Sequence, residues 1–381
     1  MKQTARIIST YTADVSGVAS ALFELGGMTV MHDASGCNST YNTHDEPRWY
    51  DTDSLVFISA LSEMEAMMGD DKKLIRDITD TALALHPRFV AIAGTPIPMI
   101  TGTDLKAIAA IVEKNTGIPC FGLKTNSMHT YISGADMALE AVARRFADTS
   151  LTRLAGSGRV NVLGMTPLDF SVNGSDGSIR AWLSDNGFTP LSVWAMGSTL
   201  DELSRAGEAD VNLVVSRAGL GTALYLQKTF GTPYVAGVPF GLEFSKHLAR
   251  ALREAAGSGV SSAPCSLRPA GGGKKAVVIG ESVYSGSLAA AAAMDAGFDA
   301  RVVCPVETAP GFLAPGESVA PDEDDIIPLL HPEDTIAADP MYKPVCPPDS
   351  DFYPLPSEAF SGRIYRKDIP NLISRKIDLK G

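Results

Sequence analysis

Residues 276–297 read AVVIGESVYSGSLAAAAAMDAG, and this stretch decides the fold class. Residues 276–280 form an apolar, β-branched run of strand length, followed by a turn that contains glycine and serine. The alanine-rich stretch that follows predicts a helix from Ser285 to Ala296, ended by Gly297. Strand, turn and helix in this order predict one βα unit of a parallel sheet.

The same alternation of short apolar runs and helical patterns fills the rest of the chain and restarts twice. Residues 150–158 and 257–275 have the composition of connectors between domains, and the second is rich in glycine, serine and proline. We therefore predict an α/β protein with three Rossmann-like domains, at 1–150, 155–257 and 274–381. Each would contain a parallel sheet, and the three would surround a central cleft at the carboxyl ends of their strands.

Apolar, β-branched runs bounded by turn residues predict the individual strands. These runs lie at 28–31, 54–59, 89–93, 119–123, 160–163, 190–194, 211–216, 234–238, 276–280, 300–303 and 335–338. Near the end of the chain, a last helix is predicted at 369–376.

Composition and charge exclude several classes of protein. The chain has 381 residues, of which 45% are hydrophobic, so it can bury substantial cores. Its formal net charge of −12 argues against a nucleic-acid binder, which needs a basic face for phosphates. The amino-terminal sequence lacks the apolar core of a signal peptide, and no stretch approaches the ~20 apolar residues that span a bilayer. Five scattered cysteines, an odd number, indicate a reducing cytoplasm rather than a disulfide framework.

The first candidate site is the sequence MHDASGCN at 31–38, which follows a predicted strand. Cys37 would lie on a strand-to-helix loop, and Gly36 would let the backbone approach a ligand closely. A helix amino terminus favours the thiolate, which is the form of cysteine that binds iron. His32 and His44 flank this cysteine and are candidates for further metal ligands. The alternative interpretation is that Cys37 is a small, buried apolar residue.

Two more turns follow predicted strands. Gly94 and Thr95 lie in the small-residue turn after 89–93, where they are candidates for cofactor binding; a plain turn with a helix cap is the alternative. The turn at 280–287 could offer free helix amides to an anion, or it could bind nothing. The sequence contains neither a Gly-Lys-Ser/Thr loop for a nucleotide triphosphate nor a Gly-x-Ser-x-Gly elbow.

The order of short motifs along the chain resembles the nitrogenase component 1 superfamily. The segment from His32 to Cys37 is similar to the family's His-Gly…Gly-Cys turn, which carries a cluster-ligating cysteine. LSEMEAMMGD at 61–70 is similar to the family's Thr-Glu-x-Asp segment, and FVAIAGT at 89–95 with ITGTD at 100–104 resembles its next strand and turn. Further matches in family order are GIP at 117–119, VNVLG at 160–164, GTPY at 231–234, PFG at 239–241 and DPMY at 339–342.

This resemblance implies an oxidoreductase subunit with an iron–sulfur cluster at Cys37. A cubane cluster needs about four protein ligands, and only Cys37 matches a family cysteine. Pro96 occupies the position of the later family cysteine, and no cysteine precedes Cys37. The implied cofactor is therefore a [4Fe–4S] cluster shared between subunits, in a homodimer or in a heterotetramer with a paralogous component 1 subunit. Loss of the cluster is the alternative.

The resemblance also implies what this chain would work with. A separate ATP-dependent iron protein would deliver electrons, since the chain lacks a phosphate-binding loop, and a tetrapyrrole, a metallocluster or a small sulfur or nitrogen compound would occupy the cleft. Neither nucleic acid nor a membrane is an expected partner. Two alternatives remain: a non-catalytic scaffold subunit for a metallocluster or tetrapyrrole, and a plain α/β ligand-binding protein similar to periplasmic binding proteins.

Overall fold

The structure is a computed structural model that describes residues 6–7, 13–34, 46–270 and 272–379. Within these ranges the strands assemble into three parallel sheets that alternate with helices along the chain. The predicted α/β class with parallel sheets is thereby confirmed, while the domain limits stay a prediction. None of the described helices combines the length and the apolar character needed to cross a membrane.

The first sheet has the strand order β2-β1-β3-β4. Its strands are β1 (Met28–His32), β2 (Leu55–Ile58), β3 (Val90–Gly94) and β4 (Cys120–Leu123). The helices of this part are α1 (Asp14–Leu22), α2 (Glu63–Met68), α3 (Lys72–Leu85), α4 (Pro96–Thr101), α5 (Leu105–Thr116) and α6 (Tyr131–Phe146). The central strands β1 and β3 are buried along their whole length, which explains why their sequences are continuous apolar runs.

The second sheet repeats this topology with the order β6-β5-β7-β8. Its strands are β5 (Arg159–Leu163), β6 (Thr189–Val193), β7 (Val211–Val214) and β8 (Tyr234–Ala236). Its helices are α7 (Pro167–Phe170), α8 (Ser175–Asp185), α9 (Leu200–Ser204), α10 (Leu220–Phe230) and α11 (Glu243–Ser258).

The third sheet has the order β11-β10-β9-β12-β13. Its strands are β9 (Lys275–Ile279), β10 (Asp299–Cys304), β11 (Ser318–Val319), β12 (Thr335–Ala338) and β13 (Asp351–Pro354). Its helices are α12 (Ser282–Ala296), α13 (Glu323–Ile326) and α14 (Glu358–Ser361). The sequence did not predict β11 and β13, because one has only two residues and the other is exposed or half-buried and lacks a long apolar run.

Helices α1 and α6 approach so closely that their contact depends on two glycines. A Cβ added at Gly17 would lie 2.0 Å from the carbonyl oxygen of Tyr131, and one added at Gly134 would lie 1.8 Å from that of Asp14. Helix α6 also packs against α10. Helix α6 therefore lies between α1 and α10, and its close backbone contact with α1 allows no larger residue at either glycine.

Part of the segment at 257–275, which has the composition of a flexible connector, is packed against the second sheet. Ala236 N donates to the carbonyl oxygen of Ser262 at 2.9 Å, and Ser262 N donates to that of Tyr234 at 3.0 Å. Cys265, three residues further on, is fully buried. The role of this segment as a connector between domains stays a prediction, but its composition did not show that Ser262 pairs with the sheet at the edge of β8.

The helix predicted at 369–376 is wrong. These residues have no helical structure, and Ile373 forms an isolated bridge with Phe240. Pro370 interrupts the stretch and has no backbone N–H, so a helix there would lose a hydrogen bond. Contacts to the second sheet therefore determine the conformation of this segment.

Candidate functional site

Each sheet has a topological switch point, where the connections between its strands change direction. This point lies between β1 and β3 in the first sheet, between β5 and β7 in the second, and between β9 and β12 in the third. The loops after two such strands diverge and leave a crevice at the carboxyl ends, where α/β proteins bind ligands. In this chain polar side chains follow the strands at all three points.

At the first of these points, His32 ends β1 and Thr95 follows β3. His32 Nδ1 lies 2.8 Å from Ser59 Oγ. Thr95 Oγ1 lies 3.0 Å from the carbonyl oxygen of His32 and 3.0 Å from Asp33 Oδ1, and it can donate to either. The threonine thus orients the carboxylate of Asp33, which precedes Cys37 by four positions in the sequence.

Three of the residues predicted for this site belong to the described structure: His32, Gly94 and Thr95. A Cβ added at Gly94 would lie 2.9 Å from the carbonyl oxygen of Thr125, so this position has no room for a larger residue. The other three lie outside the described residues, and their roles stay predictions: Gly36, Cys37 and His44.

His32 is neutral over the physiological pH range. Burial lowers the pKa of its imidazole to about 4, and the nearby carboxylates of Asp33 and Glu65 oppose this shift only in part. The neutral imidazole is the form that binds metals. Because Nδ1 contacts Ser59, Nε2 is the nitrogen available to a ligand.

The described residues do not supply a metal centre by themselves. Among them, no group of three or more His, Cys, Asp or Glu side chains is arranged to hold a metal ion. Burial and the charge of Glu113 raise the pKa of Cys120 to about 12, which is the opposite of what a metal-binding thiolate requires. A cluster at the first point would need ligands from 35–45 and from another chain.

The other two points line one small cavity. It has a volume of about 30 Å³, and a cavity of ~10–15 Å³ already accommodates a water molecule. Its polar lining includes Asp169 after β5, Glu281 after β9, Asp339 after β12, and Tyr131 and Ser285 from two helices. The side chain of Ser285 is buried, and its hydroxyl has no hydrogen-bond partner among the described residues.

Asp169 accepts hydrogen bonds from three parts of the chain. The hydroxyl of Tyr131 donates to its Oδ1, and Thr166 Oγ1 donates to Oδ2 at 2.9 Å. The hydroxyl of Ser216, in the loop after β7, is a third donor. The cavity is therefore built where α6, the second sheet and the third sheet meet.

Glu281 accepts from the amides at the start of α12. Val283 N and Tyr284 N lie 3.0 and 2.8 Å from its carboxylate, and Arg217 N lies 3.0 Å away. The amides at 280–287, which could have held an anion, are thus already bonded to the protein's own carboxylate. Positive charge at the helix amino terminus stabilises that carboxylate.

The two buried carboxyl groups compete for charge. Burial and the nearby charge of Glu281 raise the pKa of Asp169 to about 7. Burial also raises the pKa of Glu281, which the helix amides oppose. No Lys or Arg side chain lines the cavity in the described structure, so the negative charge is offset by a proton on Asp169.

The sequence patterns assigned no role to Tyr131, Asp169 or Glu281. A usable signal existed for Glu281 and Asp339, because they lie two residues and one residue beyond the ends of buried strands of a parallel sheet. Asp169 lies six residues beyond the end of its strand, and Tyr131 belongs to the helix after the first sheet. No local pattern connects those two residues to the third sheet.

An exposed apolar surface borders the first point. Helices α2 and α4 pack against each other and leave a groove of about 520 Å³, lined in part by Ala34. We call this surface the α2–α4 face; its exposed residues are Met64, Met67, Met68, Ile97, Met99 and Ile100. Met67 and Ile100 are 84% and 78% exposed. Several large apolar side chains exposed on two packed helices are typical of an interaction site, and Ala34 directly precedes 35–45 in the sequence.

Three parallel sheets that alternate with helices make this chain an α/β protein of repeated parallel-sheet units. The chain matches the family described as nitrogenase component 1 type oxidoreductase over residues 15–304. It belongs to this family, which confirms the resemblance inferred from the motifs and argues against the plain ligand-binding alternative.

The similar proteins have different functions. The nitrogenase iron-molybdenum cofactor biosynthesis protein NifE of Methanosarcina barkeri is 26% identical over 206 residues, 51% of this chain and 43% of that protein. A light-independent protochlorophyllide reductase polypeptide of Zygnema circumcarinatum is 28% identical over 183 residues, 46% of this chain and 36% of that protein. The matches thus span less than half the length of these curated relatives.

Among solved structures, nitrogenase Cp1 at pH 5 has a similar fold. The two chains superpose with a TM-score of 0.58 at 17% sequence identity, and the match covers 86% of this chain and 72% of that chain. At this identity the likeness shows the fold alone.

Proposed function

We propose that this chain is the electron-accepting subunit of a nitrogenase-like oxidoreductase. The observation that carries the proposal is the position of the α2–α4 face: in a member of this family, an exposed apolar surface lies beside Ala34, the last described residue before Cys37 in the sequence. A separate ATP-dependent iron protein would deliver electrons, as the resemblance implies. They would pass through an iron–sulfur cluster to a substrate in the inter-domain cleft.

The cluster, when bound, supplies the one-electron relay. Cys37 would be its thiolate ligand from this chain, with His32 or His44 as further ligands. A [4Fe–4S] cluster needs about four ligands, and Pro96 stands where the resemblance places a second cysteine. The remaining ligands would come from another subunit, so the cluster belongs at an interface.

The α2–α4 face would be covered by a second component 1 subunit, either another copy of this chain or a paralogue. Met67→Lys tests this, because a lysine there would place a charge in the apolar contact. We expect light scattering to show loss of the dimer or heterotetramer, while Val260→Lys, at a site 66% exposed and outside this face, leaves the mass unchanged. An unchanged mass for Met67→Lys would contradict the assigned interface.

The cavity between the second and third sheets limits how the substrate binds. At about 30 Å³ it accepts nothing much larger than water, so a tetrapyrrole or a metallocluster needs the sheets to separate or must bind beside a partner. A small sulfur or nitrogen compound needs less opening. In either case Asp169 and Tyr131 would hold a proton at the edge of the space that opens.

Iron and acid-labile sulfide analysis of anaerobically purified protein, prepared together with its partner subunit, tests the redox function. We expect iron in the wild type, loss of iron in Cys37→Ala, and retention in Cys120→Ala, whose thiol lies on β4. An iron-free wild-type complex would contradict the proposed relay.

A second candidate is a non-catalytic scaffold subunit that holds a metallocluster or tetrapyrrole. Pro96 at the expected cysteine position favours it, as does the similarity to a cofactor biosynthesis protein. Tight ligand binding without ATP-coupled reduction of that ligand would favour the scaffold over the reductase.

A further inference from the structure

A groove runs along the open edge of the first sheet, away from all three switch points. Strand β4 pairs with β3 on one side only, and helices α5 and α6 border its free edge. The groove has a volume of about 980 Å³, at the upper end of the range of roughly 300–1,000 Å³ that small-molecule sites occupy.

Small and apolar side chains form the inside of this groove. Ala109 and Ala110 line it from α5, Met137 and Ala141 from α6, and Leu123 from β4. The space exists because three of these five side chains are single methyl groups. Ala109 and Leu123 are already buried, so an apolar molecule would remove from water chiefly the surface of Ala110, Met137 and Ala141.

The rim of the groove is basic, although the whole protein is acidic. Five cations and two carboxylates line it, a formal excess of three positive charges on a chain whose net charge is −12. The charged side chains of the groove are Lys106, Glu113, Lys114, Lys124, Glu140, Arg144 and Arg145. The local excess therefore favours an anion.

The two arginines are held in place by their own partners. Arg144 Nε and Nη2 lie 2.8 and 2.5 Å from Glu140 Oε1, and its guanidinium lies 4.9 Å from the ring centre of Tyr225. Arg145 Nη2 lies 2.7 Å from Glu113 Oε1. Of the five cations at the rim, the two arginines are paired with carboxylates, and the three lysines form no ion pair within the described structure.

Two of the lysines belong to the same end of the groove. A Cβ added at Gly122 would lie 2.7 Å from Lys106 N, so the carboxyl end of β4 abuts the start of α5. Lys124 directly follows β4 at that end. The helix amides there are capped by Asp104, whose carboxylate accepts from Lys106 N and Ala107 N at 3.1 Å each. The ammonium groups would therefore provide the attraction for an anion.

At the opposite end of the groove, the free edge of β4 cannot pair with an added strand. Cys120 N donates to Glu113 Oε2 at 2.9 Å, so a carboxylate already occupies the position that a partner strand's carbonyl would take. This contact favours a small molecule over a peptide at the edge.

We infer that the groove binds a free amphipathic anion, with its apolar body along α5 and α6 and a carboxylate or phosphate head at Lys106 and Lys124. Three features indicate this ligand class: apolar side chains inside the groove, lysines at one end that form no ion pair in the described structure, and Glu113 at the other end, where its hydrogen bond with Cys120 N prevents pairing with an added strand. This inference does not rest on the proposed redox function, and it stands or falls separately.

Titration calorimetry with dodecanoate, below its micelle concentration, tests the inference. Dodecyltrimethylammonium has the same tail and the opposite charge. We expect dodecanoate to bind and the cationic detergent to bind about tenfold more weakly, because its headgroup loses the two ion pairs and is repelled by the two ammonium groups. Equal binding of the two, or no binding of dodecanoate, would overturn the inference.

Variants locate the site. Ala141→Trp fills the groove and should abolish binding, whereas Ala181→Trp, on the exposed side of α8, should not. The double variant Lys106→Glu/Lys124→Glu should weaken binding about tenfold or more. Lys72→Glu/Lys228→Glu, with the same change in net charge at exposed sites elsewhere, is its control. Dodecanoate binding that survives Ala141→Trp would overturn the assignment.

Two further measurements separate other occupants from a free ligand. If Ala141→Trp dissociates an oligomer in light scattering, the groove is a protein interface and the inference is wrong. If phosphatidylglycerol vesicles cosediment with the wild type but not with Lys106→Glu/Lys124→Glu, the basic rim binds a membrane surface and the inference is equally wrong. We expect neither change.

Discussion

Replacing Asp169 by asparagine should change how the stability of the protein depends on pH. The folded state holds a proton on this carboxyl, because burial and Glu281 raise its pKa from 3.8 to about 7. The unfolded chain loses that proton near pH 4. Between these values the folded state binds more protons than the unfolded state, so the wild type loses stability as the pH rises toward 7.

The size of this effect follows from the two pKa values. A pKa difference of one corresponds to about 1.4 kcal/mol, so the full difference for Asp169 amounts to about 4 kcal/mol. Roughly 3 kcal/mol of this falls between pH 5 and pH 8. Asparagine resembles the protonated acid in shape and does not titrate, so Asp169→Asn should lack this part of the pH dependence.

Thermal unfolding followed by circular dichroism at pH 5, 6, 7 and 8 measures the difference. For a chain of 381 residues, about 3 kcal/mol corresponds to roughly 4 °C, from an unfolding entropy of about 2.1 cal/mol/K per residue. We expect the melting temperature of Asp169→Asn to rise relative to wild type by about this amount from pH 5 to pH 8. Asp185→Asn, at an exposed site, should track the wild type. Parallel curves for Asp169→Asn and wild type would refute the buried, protonated carboxyl.

Three other outcomes are expected. Gly17→Ala should lower the free energy of unfolding by several kcal/mol in urea titrations, because its Cβ would collide with α6. Its control, Gly177→Ala, has open space around the added Cβ and should be neutral or stabilising by up to ~1 kcal/mol. Arg48→Met should lower the free energy of unfolding by about 3–5 kcal/mol in the same assay, because the buried Glu46 carboxylate loses its ion pair with Arg48. Arg76→Met, at an exposed site, should lower it by less than ~0.5 kcal/mol. Cys120 should react with iodoacetamide far more slowly than a free thiol at pH 8, because burial keeps its pKa near 12; mass spectrometry of the alkylated peptide checks this.

The positions of most strands could be predicted because buried parallel strands require continuous apolar runs. The predicted strand at 335–338 coincides with β12, and that at 276–280 is displaced by one residue from β9. Elements whose conformation depends on distant contacts could not be predicted. Strand β13 pairs with β12 although its sequence, DFYP, lacks a long apolar run, and 369–376 follows the second sheet instead of forming a helix.

The candidate site also contains residues that the sequence could place and residues that it could not. His32, Gly94 and Glu281 lie at the ends of strands, so a strand prediction already brings them to one edge of a sheet. The hydrogen bond between Tyr131 and Asp169 joins residues that lie 38 positions apart and belong to different sheet units. Such a contact follows from the packing of α6 between the units, which no local sequence pattern specifies.

The two parts of the site are each incomplete in the isolated chain, and for different physical reasons. The α2–α4 face exposes apolar side chains such as Met67 to water, and covering it removes that surface at about 25 cal/mol per Å². The cavity is lined by three carboxyl groups, and its Ser285 hydroxyl has no partner among the described residues, so a polar ligand there would add hydrogen bonds. A partner subunit and a substrate would each bind the folded chain and not the unfolded one, so each stabilises the fold by mass action. Helix α6 packs against α1 beside the first sheet, and its Tyr131 contacts Asp169 in the cavity. Binding of a partner subunit and binding of a substrate would therefore both stabilise the packing of α6.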